Sequence, residues 1–138
     1  MTNSVLTWLQ YAEKDHRARK ILFKAEGLEL IYVFHCHQAI EKALKALLLK
    51  WKIDPPKSHD LHKILSLLPE KVIKEFHDKQ MYLNELNVIY IDSRYPSGFA
   101  QFPNDFISQE ELESIDHSTD ELYHKIVSLT NADSISEA

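Results

Sequence analysis

Leu30-Ile31-Tyr32-Val33-Phe34-His35-Cys36-His37-Gln38-Ala39-Ile40-Glu41-Lys42-Ala43-Leu44-Lys45-Ala46-Leu47-Leu48-Leu49-Lys50-Trp51 is the run that decides the fold. Within it Leu30, Val33, Cys36, Ile40, Ala43, Leu44, Leu47 and Trp51 recur at helical spacing and make one apolar stripe. Asp54-Pro55-Pro56 stops the pattern, because proline supplies no amide hydrogen and cannot continue a helix. The opposite side is mixed: Ile31, Phe34 and Leu49 lie there among His35, Gln38, Lys42 and Lys45. A helix apolar on two sides belongs at the centre of a bundle or against a second subunit.

Helical patterns flank this run in both directions. Upstream, from about Val5 to Lys24, Leu9, Ala12, His16 and Phe23 share a side with Trp8, Ala18 and Leu22 beside it, and Gly27 ends the segment. Downstream, Ser58 or Asp60 is placed to cap a short helix that ends near Pro69, and Pro69-Glu70 reads as a fresh helix start. From about Asp78 to Asp92 the residues Leu83, Asn87 and Tyr90 recur on one face, which Arg94 joins if the helix continues. Tyr95-Pro96-Ser97-Gly98 and Phe102-Pro103-Asn104 mark the longest loop. A last helix opens at Ser108, where Glu111 completes a Ser-x-x-Glu capping box, and continues through Leu112, Ile115, Leu122, Ile126 and Leu129. The expected architecture is all-α, an antiparallel helical bundle of about five helices, with residues 1–130 as one domain and 131–138 as a frayed tail.

Composition agrees with that class. The 138 residues are 44% hydrophobic and 27% charged, a globular balance, and only two glycines leave little scope for the tight turns of a many-stranded sheet. The start of the chain has no basic stretch followed by an apolar run, and no segment approaches the ~20 apolar residues of a membrane span, so a cytoplasmic protein without membrane contact is expected. The single cysteine, Cys36, has no intrachain partner and fits a reducing compartment. A net charge of −5 argues against broad, non-specific binding of nucleic acid, which depends on neutralising phosphates. A local basic pocket is compatible with it.

Two readings suit the polar residues of the long run. Glu41 and Lys45 form an i, i+4 pair, which as a solvated salt bridge contributes only a few tenths of a kcal/mol. Alternatively Gln38, Glu41, Lys42 and Lys45 face Asn87, Tyr90 and Arg94 from the later helix and make a polar pocket. There Arg94 offers a planar fork for phosphate, Lys45 a point charge, and Tyr90 or Tyr95 a ring for a base. A third reading makes Arg94 and Glu41 buried partners that join two helices without a ligand. Ser58-His59-Asp60 is not a catalytic triad, since sequence neighbours rarely achieve that geometry. His35, Cys36 and His37 cannot converge on one ion, because consecutive helical side chains diverge by about 100°. Neither a metal nor a cofactor is expected, and no glycine-rich phosphate loop occurs.

The chain also resembles the HEPN (higher eukaryote and prokaryote nucleotide-binding) domains. The resemblance rests on Trp8-x3-Ala12-x2-Asp15, on His37-Gln38-Ala39-Ile40-Glu41-Lys42-Ala43-Leu44-Lys45-Ala46-Leu47-Leu48, on Ser58-His59-Asp60-Leu61 and on Tyr90-Ile91-Asp92-Ser93-Arg94-Tyr95-Pro96, in family order over nearly the whole chain. It implies an antiparallel bundle that forms homodimers and is often encoded beside a minimal nucleotidyltransferase, the two acting as a toxin–antitoxin pair. It further implies a nucleotide or RNA as ligand. Many HEPN proteins are metal-independent ribonucleases with an Arg-x(4–6)-His motif, but after Arg94 the histidine positions hold Phe99, Ala100 and Gln101. These side chains cannot replace a histidine in acid–base chemistry at neutral pH. The expectation is therefore a binding and interaction module, with a ribonuclease using Arg94 and a histidine from elsewhere, His59, as the alternative.

Overall fold

The computed structural model describes residues 2–94 and 107–132, with the backbone alone for 91–94. Among the described residues six α-helices follow one another: α1 (Asn3–Leu22), α2 (Glu29–Lys50), α3 (Leu61–Ser66), α4 (Glu70–Ile73), α5 (Gln80–Arg94) and α6 (Gln109–Asn131). A 3-10 segment, Lys74–Lys79, joins the single turn of α4 to α5. Five helices thus exceed one turn, and among the described residues there is no strand.

Local chemistry sets most of the helix ends. Thr2 Oγ1 accepts from Val5 N and opens α1. The carboxylate of Asp60 accepts from His62 N and Lys63 N at the start of α3. At Ser108 both halves of the expected capping box are present, with Glu111 N donating to Ser108 Oγ and Ser108 N to Glu111 Oε1. The end of α2 lies upstream of the two prolines. Lys52 adopts a left-handed φ of 61°, and Lys52 N and Ile53 N donate to Leu49 O and Leu48 O in a Schellman closure. Similarly α1 stops at Leu22, ahead of Gly27, with Lys24 at φ 66°. The last helix runs on through Asn131, into the segment expected to fray, and residues 133–138 of that tail lie outside the described residues.

α2 is the central element, lying against α1 along its length and also against α3, α5 and α6. Its Ile40, Leu44, Leu47 and Leu48 are fully buried with Leu61 and Ile64 of α3, Phe76, Leu83 and Leu86 ahead of and within α5, and Ile115 and Ile126 of α6. Burying each such side chain contributes about 1.5–3 kcal/mol. Cys36 belongs to this core, and burial pushes its thiol up to about 11. α1 brings little apolar bulk: Val5 and Ala12 are buried, followed by Asp15, His16 and Arg19. Charged groups are seldom buried without partners, and those three place the polar networks of the molecule.

Candidate functional site

Glu41 is the centre of the polar cluster. It stands near the middle of α2, 3% exposed, where the helices leave no bulk water to solvate a carboxylate. The protein supplies the solvation instead. Lys45 Nζ donates to Glu41 Oε2 at 3.0 Å from one turn along α2, and His59 Nδ1 donates to Glu41 Oε1 at 3.0 Å from the turn that precedes α3. Gln38 Nε2 adds a long contact of 3.4 Å. Lys45 is itself buried, with its ammonium 5.5 Å from the ring centre of Trp8 on α1. The ion pair is therefore the floor of the cluster, and the half-exposed imidazole of His59 is the part that solvent reaches.

Aromatic rings form the wall. His37 and Tyr90 stack at 3.9 Å, Phe34 lies parallel to Tyr90 at 5.7 Å, and His59 is tilted to Tyr90 at 5.7 Å. His37 is fully enclosed, and neither ring nitrogen has a hydrogen-bond partner. Burial lowers its pKa to about 4 despite Glu41, whose oxygen lies 3.7 Å from Nδ1. Tyr90 is 5% exposed, its ring stacked on His37.

Of the residues singled out from sequence, Gln38, Glu41, Lys45, Tyr90 and His59 are thus brought together. Asn87 adjoins them in a different role. Its Oδ1 accepts from Leu61 N and its Nδ2 donates to Asp60 Oδ1, tying α5 to the start of α3. Lys42 is directed elsewhere. Its Nζ reaches Asp15 Oδ2 on α1 at 2.6 Å, beside His35, whose Nδ1 donates to Asp15 Oδ1 at 2.8 Å. Arg94 is the last residue of α5, one turn beyond Tyr90 and on the same face by helical spacing. Its side chain lies outside the described residues, as does a pairing of Arg94 with Glu41, and Tyr95 lies outside them altogether.

Sequence reasoning missed a second network. Arg19 is completely buried, and its guanidinium donates to Asp116 Oδ1 and Asp120 Oδ1 of α6, each at 2.5 Å. Tyr32 Oη donates to the same Asp116 oxygen at 2.7 Å, and Arg19 Nε to His16 Nδ1 at 3.3 Å. Burial, then the neighbouring Arg19 and Lys20, lower the His16 pKa to about 4. The available signal was the i, i+4 pair of aspartates on α6, which leaves two acidic groups on one helical face.

The HEPN domain family profile matches residues 5–129. Two solved structures share the fold. TT1696 from Thermus thermophilus is 21% identical, with a TM-score of 0.71 over 93% of this chain and 99% of that one. ST0689, described as an archaeal HEPN homologue, is 20% identical, with a TM-score of 0.68 over 95% and 100%. Among curated proteins no sequence matches.

Proposed function

The chain belongs to the HEPN domain family, and from that membership we propose that it is a nucleotide-binding and interaction module, a cytoplasmic homodimer that works beside a minimal nucleotidyltransferase and has no ribonuclease activity of its own. One observation carries the site assignment: a buried carboxylate, Glu41, gathers Lys45 and His59 against the Tyr90 face of α5, the face on which Arg94 follows one turn later. In this reading Arg94 and His59 receive the phosphate at the rim, and Glu41 and Lys45 hold that rim in place. Tyr95 supplies the ring for the base. No helix among the described residues is long and apolar enough to cross a membrane.

A metal-independent ribonuclease is the second reading, and the Glu41–His59 hydrogen bond favours it. A carboxylate that accepts from Nδ1–H fixes the imidazole tautomer and leaves Nε2 to take a proton, the arrangement general base catalysis requires. Arginine keeps its proton at neutral pH and would stabilise phosphate charge only. The test incubates the purified protein with mixed RNA in chelator, beside His59→Ala and Arg94→Ala, and titrates each with labelled nucleotide and RNA. Binding that weakens about 10- to 100-fold in both variants, without cleavage, is the expected result, since a charge-assisted contact contributes roughly 1.5–3 kcal/mol. Cleavage by the wild type that vanishes in both variants establishes the enzyme instead. Equal binding by all three proteins removes the site.

A further inference from the structure

We propose that His16, Asp120 and His124 form a binding site for a divalent transition metal where α1 meets α6, apart from the Glu41 cluster. Each offers one ligand atom, and these atoms all lie within 4.8 Å of one another. Asp120 and His124 are one turn apart on α6, so their side chains share a face, and His16 reaches them from α1. Two imidazoles and one carboxylate suit zinc, and the same set with open positions suits iron(II). Atoms bound to one ion at about 2.1 Å stand roughly 3–3.5 Å apart, so small rotations of the exposed His124 and the partly exposed Asp120 close the site.

His16 is the anchored ligand. Only 7% exposed, it is held by a parallel stack on Tyr123, with ring centres 3.9 Å apart and planes within 8°. Its Nε2 faces Asp120 Oδ1 at 3.7 Å without a hydrogen bond. The His124 ring stands edge-on to it at 5.5 Å. His16 and His124 also line a groove of ≈ 370 Å³, together with Leu6, Leu9, Tyr123 and Val127, onto which open coordination positions would face.

Two cations already adjoin Asp120 and must be accounted for. Arg19 is buried and stays, bound to Asp116 as well as Asp120. Lys20 is about half exposed, and its Nζ spans the two Asp120 oxygens at 3.0 and 3.3 Å. It occupies the place of a cation and is free to swing into water. With Lys20 gone, Arg19, Asp116 and Asp120 carry a net charge of −1, which receives the ion. There is a second cost: for Nε2 to coordinate, the His16 proton moves to Nδ1 and the 3.3 Å bond from Arg19 is given up. Both costs set the affinity at roughly 1–100 µM rather than nanomolar.

The test titrates the metal-free protein with Zn²⁺ by calorimetry and with Co²⁺ by visible absorption, following histidine imidazole resonances in parallel. One bound ion per chain is expected, with the His16 and His124 signals moving together. His124→Ala, at an exposed position, should bind at least tenfold more weakly, and Lys20→Ala about tenfold more tightly. His117→Ala, exposed on the same helix, should match the wild type. Binding that is unchanged in His124→Ala, or lost in His117→Ala, places the ion elsewhere and overturns the site. No saturable binding below a millimolar concentration overturns it too, and an unchanged affinity in Lys20→Ala overturns the exchange of ammonium for metal.

Discussion

His37 shows how a single side chain can record the pH at which the molecule is stable. Its ring is stacked on Tyr90, shut off from water and without a hydrogen-bond partner, so the neutral form is strongly favoured in the folded state. The unfolded chain takes up this proton near pH 6.5, the folded chain only near 4. Between those values the unfolded state holds more protons, and acidification favours it. The stability His37 contributes is therefore complete above pH 6.5 and lost as pH falls towards 4, up to roughly 3 kcal/mol in all. Against burial, Glu41 and then the Asn87 side chain and the His59 backbone favour the ring's proton, while the His59 imidazole weakly opposes it. Replacing His37 with Phe keeps an aromatic ring for the stack and removes the titration. Urea midpoints measured at pH 7 and pH 4.5 should fall less in His37→Phe than in the wild type; equal falls would assign the acid limb to other groups.

At the scale of elements, the junction of α3 with α5 depends on one carboxylate. Asp60 accepts from His62 N, Lys63 N and Asn87 Nδ2, and Asn87 returns a bond from Leu61 N. The cap thus joins two helices and also sets the turn that carries His59 to Glu41. Asp60→Ala should lower stability by about 1–2 kcal/mol, the loss of an N-cap plus a side-chain bond, as read from urea unfolding. It should also weaken nucleotide binding by the proposed site, because His59 adjoins the loosened turn. An unchanged urea midpoint would show that the cap contributes nothing to stability. The cap at Ser108 was legible in the sequence, and that of α3 down to a choice between Ser58 and Asp60, because a side chain that reaches its own helix's amides needs no information from distant residues. The α2 stripe was legible for the same reason, as a repeat within one element. The 3-10 segment Lys74–Lys79 was not, since proximity to Pro69 marked a start but nothing local set the tighter winding.

The whole molecule is a central helix with others laid around it, and this raises the question of what covers the apolar residues left outside. Ile31 is 48% exposed, and Phe34 and Leu49 are only partly buried. A second copy covering that side of α2 would give sedimentation at twice the 16.1 kDa of one chain, the expected result at tens of micromolar, roughly the affinity of a weak interface. A monomer at that concentration would leave the dimer without support. Burial of charge was the part of the molecule least open to reading in advance. Arg19 looks like any surface arginine on α1 until α6 delivers Asp116 and Asp120, and Lys42 looks like part of the Glu41 cluster until α1 delivers Asp15. Such pairs depend on residues far apart in the chain, and the separation has a meaning for biogenesis. Arg19 and Asp116 are 97 positions apart. At about 5–20 residues per second, a ribosome takes roughly 5–20 s to travel from one codon to the other. Throughout that interval Arg19 lacks Asp116 and Asp120, the carboxylates that hold it in the folded interior. The contact of α1 with α6 through Arg19 thus forms only after translation has passed α6.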